Sequence, residues 1–189
     1  MYERGKGTTL DQTRYFDPSK YWYHIATNAR GEKSVWRQIQ GKPTTCDNVI
    51  TQYANAPDGS IAYRNACYVK GEYKKSLTRT GTMIPTQDPS LFQMIDSQGK
   101  KSSNLYILMT DYDRFSILGD GGRYFWIMSR TPEICGNFLG ELEEKVRALG
   151  IDTSTLTVDF RVIKNCSKEP KAEGKSGGKK EEGNGKEEK

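Results

Sequence analysis

Residues Asn104 to Gly150, NLYILMTDYDRFSILGDGGRYFWIMSRTPEICGNFLGELEEKVRALG, decide how this chain is read. Asn104 to Thr110 and Arg114 to Leu118 are apolar runs of strand length on either side of Asp111-Tyr112-Asp113. A Gly121-Gly122 turn comes next, and Arg123 to Arg130 forms the second strand of a hairpin. The period then changes from two to helical. Leu139, Leu142, Val146 and Leu149 recur at spacings of three, four and three, which places them on one helix face. Gly150 stands where it can end that helix.

Upstream, the pattern is strands and turns. Tyr21 to Thr27, Asp47 to Ala54, Ser60 to Val69, Lys75 to Ile84 and Leu91 to Asp96 read as strands, and Pro57-Asp58-Gly59 joins the second to the third as a hairpin. Downstream, Leu156, Val158, Phe160 and Val162 alternate as one more strand. The chain is therefore all-β: eight antiparallel strands at near-regular spacing, one C-terminal helix and a ninth strand. Such spacing suits an up-and-down barrel or a sandwich. Closure removes the sheet edges and favours the barrel.

Composition narrows the partners. Charged residues make up 28% of the chain, and part of that lies in the tail: Lys168 to Lys189 holds seven Lys and six Glu with no aromatic residue. A segment of that kind cannot bury enough apolar surface to offset its chain entropy, so 167–189 is expected to be disordered. The tail accounts for one of the five net positive charges, and the rest are scattered. That distribution gives no basis for nucleic-acid binding. No apolar run is long enough for a transmembrane segment. Met1-Tyr2-Glu3-Arg4 is polar and does not open a signal peptide, so the chain reads as a mature secreted form with an added Met. Cys46, Cys67, Cys135 and Cys166 are dispersed, without the paired spacing of a zinc site. An even, dispersed set suits two disulfides in an oxidising, extracellular compartment, and four cysteines allow three pairings.

Three patches carry a family resemblance: Phe16-Asp17-Pro18-Ser19-Lys20-Tyr21-Trp22-Tyr23 before and into the first strand, Thr110-Asp111-Tyr112 between the sixth and seventh strands, and Ser129-Arg130 after the eighth. In this order, with the helix where it is, they resemble the lipocalins, small barrels that carry a greasy ligand inside. YFWIMSRTPEI is most similar to the branch with apolipoprotein D, bacterial lipocalin and the insect bilin carriers. The resemblance implies a domain over 14–166 behind an N-terminal extension, 1–13. It also implies that Trp22, Thr110, Asp111, Tyr112 and Arg130 meet at the closed end, with the guanidinium stacked on the indole. It further implies a Cys46–Cys166 disulfide, which leaves Cys67–Cys135.

Strand alternation then sets which side chains face inward. Starting from Trp22, Arg130 and the Thr110-Asp111-Tyr112 turn, the expected ligand-facing set is His24, Val49, Thr51, Tyr53, Ile61, Tyr63, Leu105, Ile107, Met109, Ser116, Leu118, Tyr124, Trp126 and Met128. It is apolar and aromatic with a few hydroxyls, as a small-molecule pocket should be, although the same set could simply fill a core. His24, the only histidine, could ligate haem iron or meet an anionic group.

The expected function is that of an extracellular carrier or scavenger of a small hydrophobic molecule: a bilin or other tetrapyrrole, or a retinoid-, sterol- or fatty-acid-like lipid. No cofactor or metal is required. With one histidine and no nucleophile–base set, no enzyme activity is expected. The alternative keeps the fold and changes the class: a secreted inhibitor or masking protein acting through its loops. Oligomeric state is left open.

Overall fold

Residues 1–28, 46–69, 72–121, 124–158 and 162–163 are described in the computed structural model. The elements run in the order β1 (Tyr2–Glu3), α1 (Gln12–Tyr15), β2 (Tyr21–Asn28), β3 (Cys46–Asn55), β4 (Ile61–Val69), β5 (Glu72–Pro85), β6 (Leu91–Asp96) and β7 (Lys101–Thr110). Then come β8 (Phe115–Gly119), β9 (Phe125–Ser129), β10 (Ile134–Cys135), α2 (Gly136–Ala148), β11 (Leu156–Val158) and β12 (Val162–Ile163).

Strands β2 to β9 each pair antiparallel with the next, and β9 returns to β2 with Tyr23 opposite Ser129 and Thr27 opposite Trp126. The sheet is thus a closed eight-stranded antiparallel barrel, whose eight strands no longer offer a free edge for aggregation. Three short additions decorate it. β1 pairs β7 (Tyr2 opposite Thr110), β11 pairs β2 (Leu156 opposite Asn28), and β10 pairs β12 in parallel. No helix among the described residues is long and apolar enough to cross a membrane.

Alternation divides the apolar side chains between two cores. One lies inside the barrel and includes Trp22, Tyr53, Phe92, Leu118 and Met128. The other lies outside, where α2 lays Phe138, Leu139, Leu142 and Val146 against Ile25, Phe115, Ile117, Phe125 and Ile127. The helix ends at Leu149, and Gly150 takes φ +76°, which a side chain would strain.

The N-terminal residues are part of this architecture rather than an appendage. Tyr2, Leu10, Tyr15 and Phe16 are all buried in the inner core. Asp11 caps α1 by accepting from the Arg14 N–H (3.0 Å), and its own N–H donates to the Tyr112 hydroxyl (3.0 Å). The expected tail, 167–189, lies outside the described residues, as does Cys166.

The expected disulfides are corrected. Cys46 is bonded to Cys67, with the Cα atoms 5.6 Å apart, so neither Cys46–Cys166 nor Cys67–Cys135 forms. The reason is hairpin register. The tight turn at Asp58-Gly59 sets Cys46 opposite Val69, two residues from Cys67, and an irregularity between Asp47 and Ile50 shifts the local pairing. Cα separations of this size are the ordinary range for a bridge. Cys135 is disulfide-bonded too, with its partner outside the described residues.

Candidate functional site: a half-polar cavity above a sealed floor

The closed end of the barrel is built from aromatic side chains. Tyr15, Phe16 and Trp22 are fully buried; Tyr15 lies 5.2 Å from Trp22 between ring centroids, and Phe16 meets Tyr53 and Phe92 edge-on at 4.9 and 5.1 Å. Arg130 closes the floor from below. Its guanidinium carbon sits 3.7 Å from the Trp22 ring centroid, while Nε donates to the Tyr112 carbonyl and Nη2 to the Tyr15 carbonyl, both at 2.9 Å. A cation over an indole face is favourable, and the carbonyl acceptors replace the water it gives up. Burial still pulls the Arg130 pKa below the usual arginine range, while the neighbouring Tyr15 and Tyr53 oppose that fall.

The Thr110-Asp111-Tyr112 turn holds the same end. The Thr110 hydroxyl donates to the Phe115 carbonyl (2.7 Å) and accepts from the Tyr112 N–H (2.9 Å). Asp111 Oδ1 accepts from the Arg114 and Phe115 N–H groups (2.8 and 2.9 Å). These bonds hold Tyr112 at φ +70°, in the left-handed region.

Above the floor the interior opens into a cavity of about 240 Å³. Of the residues expected to face a ligand, His24, Thr51, Tyr53, Tyr63, Leu105, Leu118, Tyr124, Trp126 and Met128 line it. The other five do not, each for a local reason. Ile61 and Ile107 belong to the packed inner core. Ser116 is spent on the plug, its hydroxyl 2.8 Å from that of Tyr15. Val49 packs in a small separate cluster with Cys46, Cys67, Val69 and Leu77. Met109 lies on the outer face beside Ile117, because the register shifts between Ile107 and Met109 and reverses the parity of the later residues of the strand.

The lining also includes Asn65, Arg79, Met83, Met94, Ser102, Ser103, Asn104 and Asp120, none of which strand alternation from the three motif patches had singled out. The hairpin signal could have found the first: extending the pairing across Asp58-Gly59 sets Asn65 opposite Thr51, and Arg79 stands opposite Asn65 on β5.

The polar members are arranged as a row. The Thr51 hydroxyl donates to Asn65 Oδ1 (2.8 Å) and lies 2.8 Å from His24 Nε2. With the hydroxyl proton directed to Asn65, Nε2 must carry a proton and donate. That use of Nε2 is at odds with iron ligation through the same atom. Asp120 Oδ1 caps the β8–β9 turn by accepting from the Tyr124 N–H (2.9 Å). Tyr63, 3% exposed, has a hydroxyl with no hydrogen-bond partner among the described residues. Burial pushes its pKa up, and the nearby Arg79 guanidinium draws it partly back. The hydroxyl lies over Gly81, where any Cβ would come within 2.5 Å of it.

Known proteins share this architecture. The family model described as Lipocalin-like domain matches residues 19–160. Among solved structures, lobster apocrustacyanin A1 is similar at 16% identity and TM-score 0.58, covering 80% of this chain and 79% of that one. The cockroach major allergen Per a 4 is similar at 18% identity and TM-score 0.58, covering 84% and 92%. The siderocalin Ex-FABP, a protein said to function through dual ligand specificities, is similar at 15% identity and TM-score 0.50, covering 77% and 97%. Likeness at these identities speaks for the fold. No curated protein matches the sequence.

Proposed function

The chain belongs to the lipocalin-like domain family, and from that premise we propose that it is an extracellular carrier or scavenger of a small hydrophobic molecule held in the barrel cavity. The observation that carries the reading is the open volume above the sealed floor, walled by Leu105, Leu118, Trp126 and Met128. Such a wall gains free energy by taking apolar surface out of water, and a preformed cavity spares the ligand the cost of ordering it. At about 240 Å³ it lies just under the usual range of roughly 300–1,000 Å³ for ligand pockets. Of the expected ligand classes, this volume suits a compact molecule better than a whole sterol or tetrapyrrole. Secretion is supported by the Cys46–Cys67 bridge, since such bonds persist in oxidising compartments. We assign the protein to binding rather than catalysis, because its only histidine donates from Nε2 to the Thr51 hydroxyl, whose own proton goes to Asn65, and so is not set as a base toward that hydroxyl.

A neutral apolar fluorophore, N-phenyl-1-naphthylamine, tests the reading. It should bind one to one and accept energy from tryptophan, with Trp126 on the cavity wall as the near donor. Leu118→Glu puts an unpaired charge on that wall. Probe binding should fall beyond detection while the far-ultraviolet circular dichroism of the barrel is kept. Failure of the parent protein to bind the probe would contradict carriage and favour the loop-mediated inhibitor.

A further inference from the structure

The cavity has two unlike walls. Leu105, Leu118, Trp126 and Met128, from β7 to β9, are apolar or aromatic. Facing them, β3 to β5 present Thr51, Asn65 and Arg79 directly opposite one another across two strand pairs, a cross-strand polar row inside the barrel. One diagonal step toward the floor lies Tyr63, opposite Tyr53 and Gly81.

Three features of this wall agree in sign. Asn65 uses its carbonyl oxygen to accept from Thr51, which leaves its NH₂ group as the part offered onward. Arg79 carries donors only. The Tyr63 hydroxyl is buried with no partner among the described residues, although a buried hydroxyl left unbonded costs free energy. A wall rich in donors, one of them buried with no partner among the described residues, calls for an acceptor from outside the protein. Asp120, the one carboxylate on the lining among the described residues, caps its own turn.

Resting on the carrier reading, we infer that the ligand is a compact amphiphile with an anionic or strongly accepting head, a carboxylate or an equivalent oxyanion. The head meets Arg79, Tyr63 and Asn65, and the apolar body lies against the β7–β9 wall. Gly81 makes the arrangement possible, because a Cβ there would come within 2.5 Å of the Tyr63 hydroxyl and 2.3 Å of the Ile95 carbonyl oxygen.

A matched pair of probes separates this inference from the reading beneath it: 1-anilinonaphthalene-8-sulfonate, which carries an oxyanion, and N-phenyl-1-naphthylamine, which has the same rings without it. The sulfonate should bind at least about tenfold tighter, the ratio given by 1.4 kcal/mol of charge-assisted hydrogen bonding. Arg79→Gln should remove most of that advantage and leave the neutral probe unchanged. Tyr63→Phe should lower sulfonate affinity several-fold without lowering the melting temperature, because it deletes a buried hydroxyl that has no hydrogen-bond partner among the described residues. If both probes bind equally, or both lose affinity together in Arg79→Gln, the head-group assignment is overturned and the cavity reading stands. Tighter binding of an amine analogue, N-(1-naphthyl)ethylenediamine, would overturn it in favour of Asp120. If neither naphthyl probe binds the parent, both readings fall.

Discussion

The two ends of the barrel interior are made from the same alternating strands, yet one is a packed core and the other a cavity. At the floor, Tyr15, Phe16, Trp22 and Phe92 interlock, and Arg130 satisfies its donors on the carbonyls of Tyr112 and Tyr15. Above it, the buried Tyr63 hydroxyl has no hydrogen-bond partner among the described residues, and about 240 Å³ stays open. The difference comes from what enters the barrel besides its own strands. The N-terminal segment inserts Tyr15 and Phe16 at one end only. A barrel of eight strands can be filled or can hold a small ligand, and here a short helix before the first barrel strand decides where filling stops.

The largest expected effect lies at the floor. Trp22→Ala removes a fully buried indole, the surface on which Arg130 stacks, and its contact with Tyr15, so it should cost ~3–5 kcal/mol in urea unfolding. An unchanged midpoint would break the distinction between the ends. Met128→Ala on the cavity wall is the paired test. Its neighbours already border open space, so little new void is created, and the cost should be at or below ~2 kcal/mol, the low end for a buried methionine. Probe affinity should change more than stability. Equal destabilisation by the two substitutions would mean that the upper interior is packed as tightly as the floor.

The smallest effect is pH dependence. Asp17, Asp58 and Asp88 each accept from the serine two residues on (Ser19, Ser60 and Ser90), and these turns flank the closed end. Those hydrogen bonds hold the three carboxyls below their ordinary value of 3.8. A carboxylate with a depressed folded pKa stabilises the fold above its unfolded pKa, and that contribution is lost as pH falls through the folded value. The loss should therefore begin only below about pH 4. Because Asp58 is exposed and Asp17 and Asp88 keep 30% and 35% of their side-chain surface in water, it should be modest. Amide exchange in this acid window should rise first in the closed-end turns and later in the β3–β5 wall. The opposite order would contradict the assignment.

The sequence made the barrel legible because turns and alternation were both strong. Pro57-Asp58-Gly59 set one hairpin, the Thr110-Asp111-Tyr112 turn another, and the helix period after Arg130 fixed the remainder. What alternation could not show was where it breaks. The irregularities at Asp47–Ile50 and Ile107–Met109 moved Val49 away from the cavity and Met109 to the outer face, and the first of them lies beside the Cys46–Cys67 bridge. A bulge is one residue's backbone choice and leaves little trace in composition. The polar wall was missed for another reason. Asn65 and Arg79 read as surface residues by type, and only the pairing across three strands shows that they face inward. The plug was hidden because a four-residue helix carries too little periodicity to be seen.

The central claim is that a ligand enters the upper interior and nowhere else, and the five methionines are placed to test it. Met83, Met94 and Met128 line the cavity, Met109 packs against the outer face beneath α2, and Met1 is exposed. With methionine methyl groups labelled by carbon-13, titration with 1-anilinonaphthalene-8-sulfonate should shift the Met83, Met94 and Met128 resonances saturably and together, leaving Met1 and Met109 in place. Shifts confined to Met109 or Met1, or no saturable shift at the three cavity methionines, would contradict the claim that the barrel is a carrier.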